Sequence, residues 1–234
     1  MAYLLPELYD ALYSFKQYTA EADAIDAIVQ ERRPGARSLL DVACGTGKHL
    51  EQLRSRYTVE GVDLDDGLLT VARRRLPAVP LHAGDMRDFD LGRSFDAVTC
   101  LFSAIGHLAT STELDAAIAT MARHLAPGGV LVVEPWLTPE EWIPGRPALL
   151  TVDEPDLKIA RISMTGKRGT TSLLDFHYLV ATPHGLESVA EHLELALFTH
   201  EETMAAFERA ELDVSYDEQG LTGRGLYVGV LNSH

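Results

Sequence analysis

Apolar and polar positions along the chain follow two rhythms, and the change between them falls near residue 150. Before it, short apolar runs alternate with amphipathic stretches. AEADAIDAIVQERR (20–33) places Ala24, Ile25, Ile28 and Val29 at helical spacing and stops at Pro34-Gly35. SLLDVA (38–43) reads as a strand entering the glycine turn CGTG, and residues 48–56 follow as a helix. YTVEGVDL (57–64), VPLHAGD (79–85), SFDAVTCLFSAI (94–105) and VLVVEPW (130–136) are further predicted strands. GLLTVARRRL (67–76) is a predicted helix, and so is the stretch from Thr110, where Thr110 and Glu113 have capping-box spacing, through Leu125 to a stop at Pro127-Gly128-Gly129. Strand and helix thus alternate from 38 to 136, which calls for parallel βαβ units and a doubly wound, mostly parallel α/β sheet.

The second rhythm has period two. LKIARISMT (157–165), SLLDFHYLVAT (172–182) and LESVAEHLELALFT (186–199), joined by short glycine-containing turns, read as successive antiparallel strands inserted over one edge or mouth of the sheet. EETMAAFERA (201–210) returns to a helix, and LDVSYD (212–217) and RGLYVGVL (224–231) close the chain as strands. The expected layout is one domain over 1–234: an N-terminal helical cap (1–37), a ligand-binding core (38–136), an antiparallel β insertion (151–199), and a C-terminal helix with closing strands (200–234).

At 234 residues, 46% hydrophobic and 24% charged, the chain has the composition of one ordinary globular domain. No apolar run approaches a membrane span, and MAYLLPELYD has no basic region before an apolar one, so a cytoplasmic protein without membrane partners is expected. Cys44 and Cys100 are isolated, which suits a reducing compartment and gives no metal-ligand spacing. A net charge of −15 opposes nucleic-acid binding and means that an anionic ligand needs a local basic cluster.

Candidate chemistry collects at the strand ends. In DVACGTG (41–47), Gly45 and Gly47 permit positive φ and close backbone approach, ahead of helix N–H groups. Asp63 ends the next strand, where a carboxylate accepts both hydroxyls of a ribose. Asp85 ends the third in GDMRDF, where it and the Met86 backbone can meet an adenine edge. Each acid alone is as readily a strand-end cap; three such turns on one edge point to a nucleoside. Leu50 stands where a dinucleotide fingerprint GxGxxG has its third glycine, which disfavours a nicotinamide oxidoreductase. The fourth strand breaks at Gly106, which is expected to turn the chain and present His107 to the cleft. An imidazole with an ordinary pKa of about 6.5 exchanges protons near neutrality.

DxxxGxG, the ribose acid and the GD pair resemble the S-adenosylmethionine site of class I methyltransferases. LLDVACGTGKHLEQL, GDMRDFDLGRSFDAVTCLFSAIGHLA, LAPGGVLVVEPW and TGRGLYVGV more specifically resemble the N-methyltransferases (N,N-dimethyltransferases) that act on dTDP-linked amino sugars in antibiotic biosynthesis, over nearly the whole chain from ELYD (7–10) to GV (229–230). The resemblance implies a Rossmann-like methyltransferase fold, S-adenosylmethionine as cofactor and a dTDP-linked deoxyamino sugar as substrate. It implies cofactor contacts from Tyr9, Tyr18, Ala43, Gly45, Gly47, Asp63, Leu64, Asp85, Met86 and Leu101. It places His107 at the substrate amine, as base or orienting group, and Arg224 at the diphosphate. From the residues themselves, Arg161, in a basic cluster with Arg146, Lys167 and Arg168, is a candidate partner for a diphosphate, and Trp136 a ring for stacking on a base or sugar; a solvated basic face and core packing are the alternatives. In-line transfer to a lone pair demands alignment first and a proton acceptor second. O-methylation of a sugar or other small natural product is the alternative on the same fold, and a homodimer is left open. Departures fall on the substrate side: the shortened SFKQY, Leu137 and Met164 where the family has tryptophan and histidine, and Tyr3 as the one candidate for a sugar-contacting tyrosine. They leave open which amine is methylated, and how many times.

Overall fold

The computed structural model describes residues 6–232. Five strands, β1 (Ser38–Val42), β2 (Thr58–Asp63), β3 (Leu81–Ala83), β4 (Phe95–Cys100) and β5 (Leu125–Val133), run parallel. Next come four antiparallel strands, β6 (Pro147–Glu154), β7 (Leu157–Arg168), β8 (Thr171–Thr182) and β9 (Gly185–Ala196). The closing pair, β10 (Leu212–Asp217) and β11 (Leu226–Leu231), adds antiparallel to β5, giving a seven-stranded sheet in the order β10-β11-β5-β4-β1-β2-β3.

Alternate residues of the central strands feed two cores. Leu40, Val42, Val98, Leu131 and Val133 pack under α5 (Ser111–Arg123) and α6 (His200–Arg209). Leu39, Ala97, Val130 and Val132 pack under α2 (Tyr18–Arg32), α3 (Lys48–Leu53) and α4 (Asp66–Arg75). Burial on both faces is why these strands read as unbroken apolar runs. Strand order reverses between β1 and β4, and a doubly wound sheet opens its crevice at the carboxyl ends of such a pair.

Several local expectations are revised. β4 ends at Cys100, well short of Ile105. The reversal is made by Phe102 (φ 53°) and Ser103 (φ 61°), both left-handed, and leads into a 3-10 turn, Ala104–His107. Gly106 is therefore not the bend; a Cβ there would lie 2.9 Å from the Cβ of Trp136, so its glycine is a packing requirement. Pro127-Gly128-Gly129 lies inside β5, because α5 already ends at Arg123. Thr110 caps α5 as its spacing predicts, but Glu113 bonds the Ala109 N–H (2.6 Å) and Arg87.

The insertion has four strands where three were expected. The extra one, β6, is an edge strand with only Val152 buried, so it carries no period-two signature. One face of this second sheet holds Ile159, Phe176, Tyr178, Val180 and Leu193 against Leu12 of a short helix, α1 (Tyr9–Leu12). The other exposes Leu149, Ile162, Met164, Leu179 and Leu186.

Leu50 is fully buried, and the close helix–strand approach that the third glycine of a dinucleotide site would allow is provided from the strand side by Gly61. A Cβ on Gly61 would sit 2.7 Å from Cys44 Sγ and 2.8 Å from both Leu50 and Leu81. Gly61→Ala is therefore expected to overpack this junction and cost about 1–3 kcal/mol, read as a lowered denaturation midpoint in equilibrium unfolding.

Candidate active site

A cavity of about 250 Å³ opens at the carboxyl ends of β1, β2 and β4. Of the residues assigned to the cofactor, Tyr9, Ala43, Gly45, Asp63, Leu64, Asp85, Met86 and Leu101 line it, and His107 shares the same wall. The turn after β1 is shaped by two left-handed residues, Ala43 (φ 57°) and Gly45 (φ 55°). It is tied down by Cys44 N–H to Val62 O (3.0 Å). Asp63 reaches across: one carboxyl oxygen accepts the Gly45 N–H (2.7 Å), the other the Asp65 N–H (2.8 Å). Burial raises its pKa above the ordinary carboxylate value. A carboxylate has about four acceptor sites, so capacity for a hydroxyl remains beyond these main-chain donors. Beside this acid, Leu64 is 57% exposed at the cavity rim, where an apolar surface suits a base. A polyol acceptor next to an uncovered leucine fits the nucleoside half of S-adenosylmethionine.

Three assignments change in detail. Gly47 does not line the cavity. It precedes α3 with φ 76°, and a Cβ there would meet Leu76 at 2.9 Å and Ala72 at 3.4 Å, so it serves helix packing. Asp85 is already engaged by Arg87, through its main-chain N–H (3.0 Å) and its guanidinium (Nε 2.9 Å), which holds the carboxyl below its ordinary pKa. Tyr18 lies not in the main cavity but in a smaller pocket joined to it through Tyr9, Ala43, Gly45, Leu101 and Phe102. Its ring meets His49 edge-on at 5.0 Å, and burial pushes its hydroxyl pKa well up, so it stays protonated.

That smaller pocket also contains a residue absent from the sequence assignment, Asp41. Its carboxyl is buried at the end of β1, accepts the Thr99 hydroxyl (2.8 Å), and has its pKa pushed up to about 6 by desolvation. The first position of DxxxGxG was the available signal. Phe102 and Glu194 also line the main cavity unannounced. The first sits in a left-handed turn, and the second arrives on β9, so no local pattern places either one.

The His107 ring is open to the cavity, while the protein packed around that cavity pushes its pKa down to about 4. The expected value near 6.5 does not hold, and the imidazole is neutral across the physiological range. Arg224 and Trp136 line an adjoining small groove. Arg224 donates from Nη1 to Ser103 Oγ (3.1 Å), with its guanidinium 5.1 Å from the Trp136 ring and 5.7 Å from that of Phe102. Trp136 donates from its indole to Ser172 Oγ (2.9 Å), and Trp142 is core, bonded to Gly166 O (2.7 Å). Arg161 lies outside both openings, on the inner face of the second sheet, over the rings of Phe176 (4.7 Å) and Tyr13 (5.7 Å). His177, His192 and Met164 point from its outer face. Tyr3 lies outside the described residues.

Residues 39–129 match the family model described as a methyltransferase domain. The chain is 46% identical to a dTDP-3-amino-3,6-dideoxy-alpha-D-glucopyranose N,N-dimethyltransferase of Streptomyces fradiae, over 97% of this chain and 90% of that one. It is 43% identical to a dTDP-4-amino-2,3,4,6-tetradeoxy-D-glucose N,N-dimethyltransferase of Saccharopolyspora spinosa, over 97% and 92%. Its fold superposes with a TM-score of 0.88 on CalS10, an amino pentose methyltransferase from Micromonospora echinaspora involved in calicheamicin biosynthesis and solved with S-adenosylmethionine bound, at 45% identity over 95% and 96% of the chains. The glycine turn, the strand-end acid Asp63 and the whole-length likeness agree: the chain belongs to the class I, S-adenosylmethionine-dependent N-methyltransferases of nucleotide-linked amino sugars.

Proposed function

We propose that this chain methylates the amino group of a dTDP-linked deoxyamino sugar in antibiotic biosynthesis. The observation that carries the reading is His107 on the wall of the cavity that Gly45 and Asp63 build, in a chain 46% identical over 97% of its length to an enzyme of this class. Asp63 takes the ribose hydroxyls, and Leu64, Met86 and Leu101 flank the base. Tyr9, Tyr18 and Asp41 surround the amino-acid end. When bound, the cofactor supplies an electrophilic methyl carbon together with its own leaving group. The protein's task is to aim a lone pair and keep water out.

His107 does this as a hydrogen-bond acceptor. With its pKa near 4 it is a weak base, so the substrate ammonium loses its proton to solvent and the neutral amine donates an N–H to the imidazole. That bond turns the lone pair toward the cofactor side of the cavity. Arg224, resting on Trp136 and Phe102, meets the diphosphate. The relatives' names include both 3-amino and 4-amino sugars, and both are N,N-dimethyltransferases, which supports two successive transfers on one nitrogen.

A cytoplasmic location is part of the proposal, supported by two buried, unbridged cysteines; no described helix is long and apolar enough to cross a membrane. A second copy of the chain is the proposed occupant of the outer face of the β6–β9 sheet. Its charges are matched within the face, Asp153 with Lys158 and Asp175 with His192, which leaves an apolar centre suited to an identical surface in an otherwise acidic chain.

The function is tested with S-adenosylmethionine and a panel of dTDP-3-amino and dTDP-4-amino deoxysugars, with products identified by mass. Binding of S-adenosylhomocysteine without methylation of any amine would sink the substrate class. With a productive sugar, the rate should climb with pH as the ammonium deprotonates, and no inflection between pH 5 and 8 should belong to His107. His107→Ala should lower kcat by about 10²-fold, with partial recovery in His107→Asn; an inflection near 6.5 that vanishes in both variants would restore a titrating base.

Asp41 gives a stability test. Its folded pKa of about 6 lies above the ordinary 3.8, so its contribution is complete below pH 3.8 and is lost as pH rises through 6, a penalty of about 3 kcal/mol at neutrality. Asp41→Asn should therefore raise Tm at pH 7, show a shrinking advantage toward pH 4, and bind S-adenosylhomocysteine more weakly by calorimetry. For the dimer, light scattering should give twice the chain mass, and Ile162→Asp should return it to one.

A further inference from the structure

Two consecutive non-glycine residues in the left-handed region cost about 1 kcal/mol or more each and persist only where their surroundings over-determine them. Around Phe102 and Ser103 that work falls to Glu134 and to the loop between β10 and β11. Glu134 follows β5 and is fully buried. Its own N–H bonds Cys100 O (2.9 Å), which carries its carboxyl beside the end of β4. One carboxyl oxygen accepts the Phe102 N–H (2.6 Å), and the other accepts the Thr222 hydroxyl. Next door, Ser103 donates its hydroxyl to Pro135 O (2.7 Å) and accepts from Arg224. The loop that carries Arg224 is thus fastened at two points to the turn that leads, four residues on, into His107.

The loop depends on that fastening. Gly220, Gly223 and Gly225 all adopt positive φ, and Thr222 and Gly223 are exposed. Among the described residues the partners of its carboxyl group are an amide and a hydroxyl, so Glu134 fixes positions by hydrogen bonds.

We propose that Glu134 is a positioning residue, a latch that holds the Arg224 loop and the His107 turn in one register. This rests on the roles given above to His107 and Arg224: engaging the diphosphate and orienting the amine then become one event. Most of the cofactor half of the cavity, Ala43, Gly45, Asp63 and Leu64, stands at the ends of β1 and β2, away from the latch, so loosening the latch should act on the sugar nucleotide first.

Thr222→Val is the main test, since the residue is exposed and valine keeps its shape. It should raise KM for the sugar nucleotide about fivefold, the worth of one hydrogen bond, and lower kcat, with Tm and the Kd of S-adenosylhomocysteine unchanged. Ser103→Ala should act in the same direction, and the double variant should lose less than the product of the two. Glu134→Ala should combine both losses, and Glu134→Gln, which retains an acceptor for Phe102 and a donor toward Thr222, should rescue most of the activity. Unchanged sugar KM and kcat in Thr222→Val overturns the latch, and so does a parallel loss of S-adenosylhomocysteine affinity, which marks general loosening. Should no amino sugar prove to be a substrate, hydrogen exchange over residues 101–108 decides the latch separately: faster exchange in Thr222→Val supports it, and an unchanged pattern refutes it.

Discussion

Removal of water from the carboxyl edge of the sheet is the constraint on which the site depends. It pushes Asp41 up to about 6, raises Asp63 and Tyr18, and presses His107 down to about 4. All four move toward their neutral forms. Methyl transfer from a sulfonium to a neutral amine relocates one positive charge and creates none, so its transition state spreads charge that the reactants hold in one place. A cleft that disfavours concentrated charge suits that reaction, and one that charged His107 would not. The cost is borne by the two aspartates, whose burial sacrifices stability at the site proposed for the cofactor.

How much of this was legible in the sequence follows from what each feature depends on. The parallel core was readable because strands such as SLLDV and VLVV are buried on both faces by adjacent helices, which leaves an apolar run between amphipathic stretches. The cavity edge was readable because residues that line it, Gly45, Asp63 and Asp85, lie at the ends of those strands. The misreadings share a cause. Phe102 and Ser103 turn the chain against partners that lie far along it: Glu134, thirty-two residues after Phe102, accepts its main-chain amide, and Pro135 and Arg224 hold Ser103. Gly106 looks like a flexible link but answers to Trp136, a side chain supplied from another element. β6 is an exposed edge and has no pattern to show. The pKa of His107 is a property of packing, which no spacing encodes.

The acidity of the chain and the proposed anionic substrate are reconciled by the way its arginines are held. Arg33, Arg56, Arg75, Arg87, Arg93 and Arg209 are each paired with a carboxyl group, which cancels their charge locally. Arg224 and Arg161 are held differently: their partners are hydroxyls and aromatic rings. Stacking fixes a guanidinium plane while its in-plane donors keep their charge for phosphate oxygens. Because exposed charges are screened beyond about 8 Å at physiological ionic strength, an uncancelled guanidinium in a groove outweighs a diffuse excess of surface carboxylates. Arg224 also lies against Phe102, whose ring borders the main cavity and whose amide is held by Glu134. The charge recognition and the alignment proposed for the two ends of the cleft therefore converge on a single turn, set not by a glycine but by a buried acid.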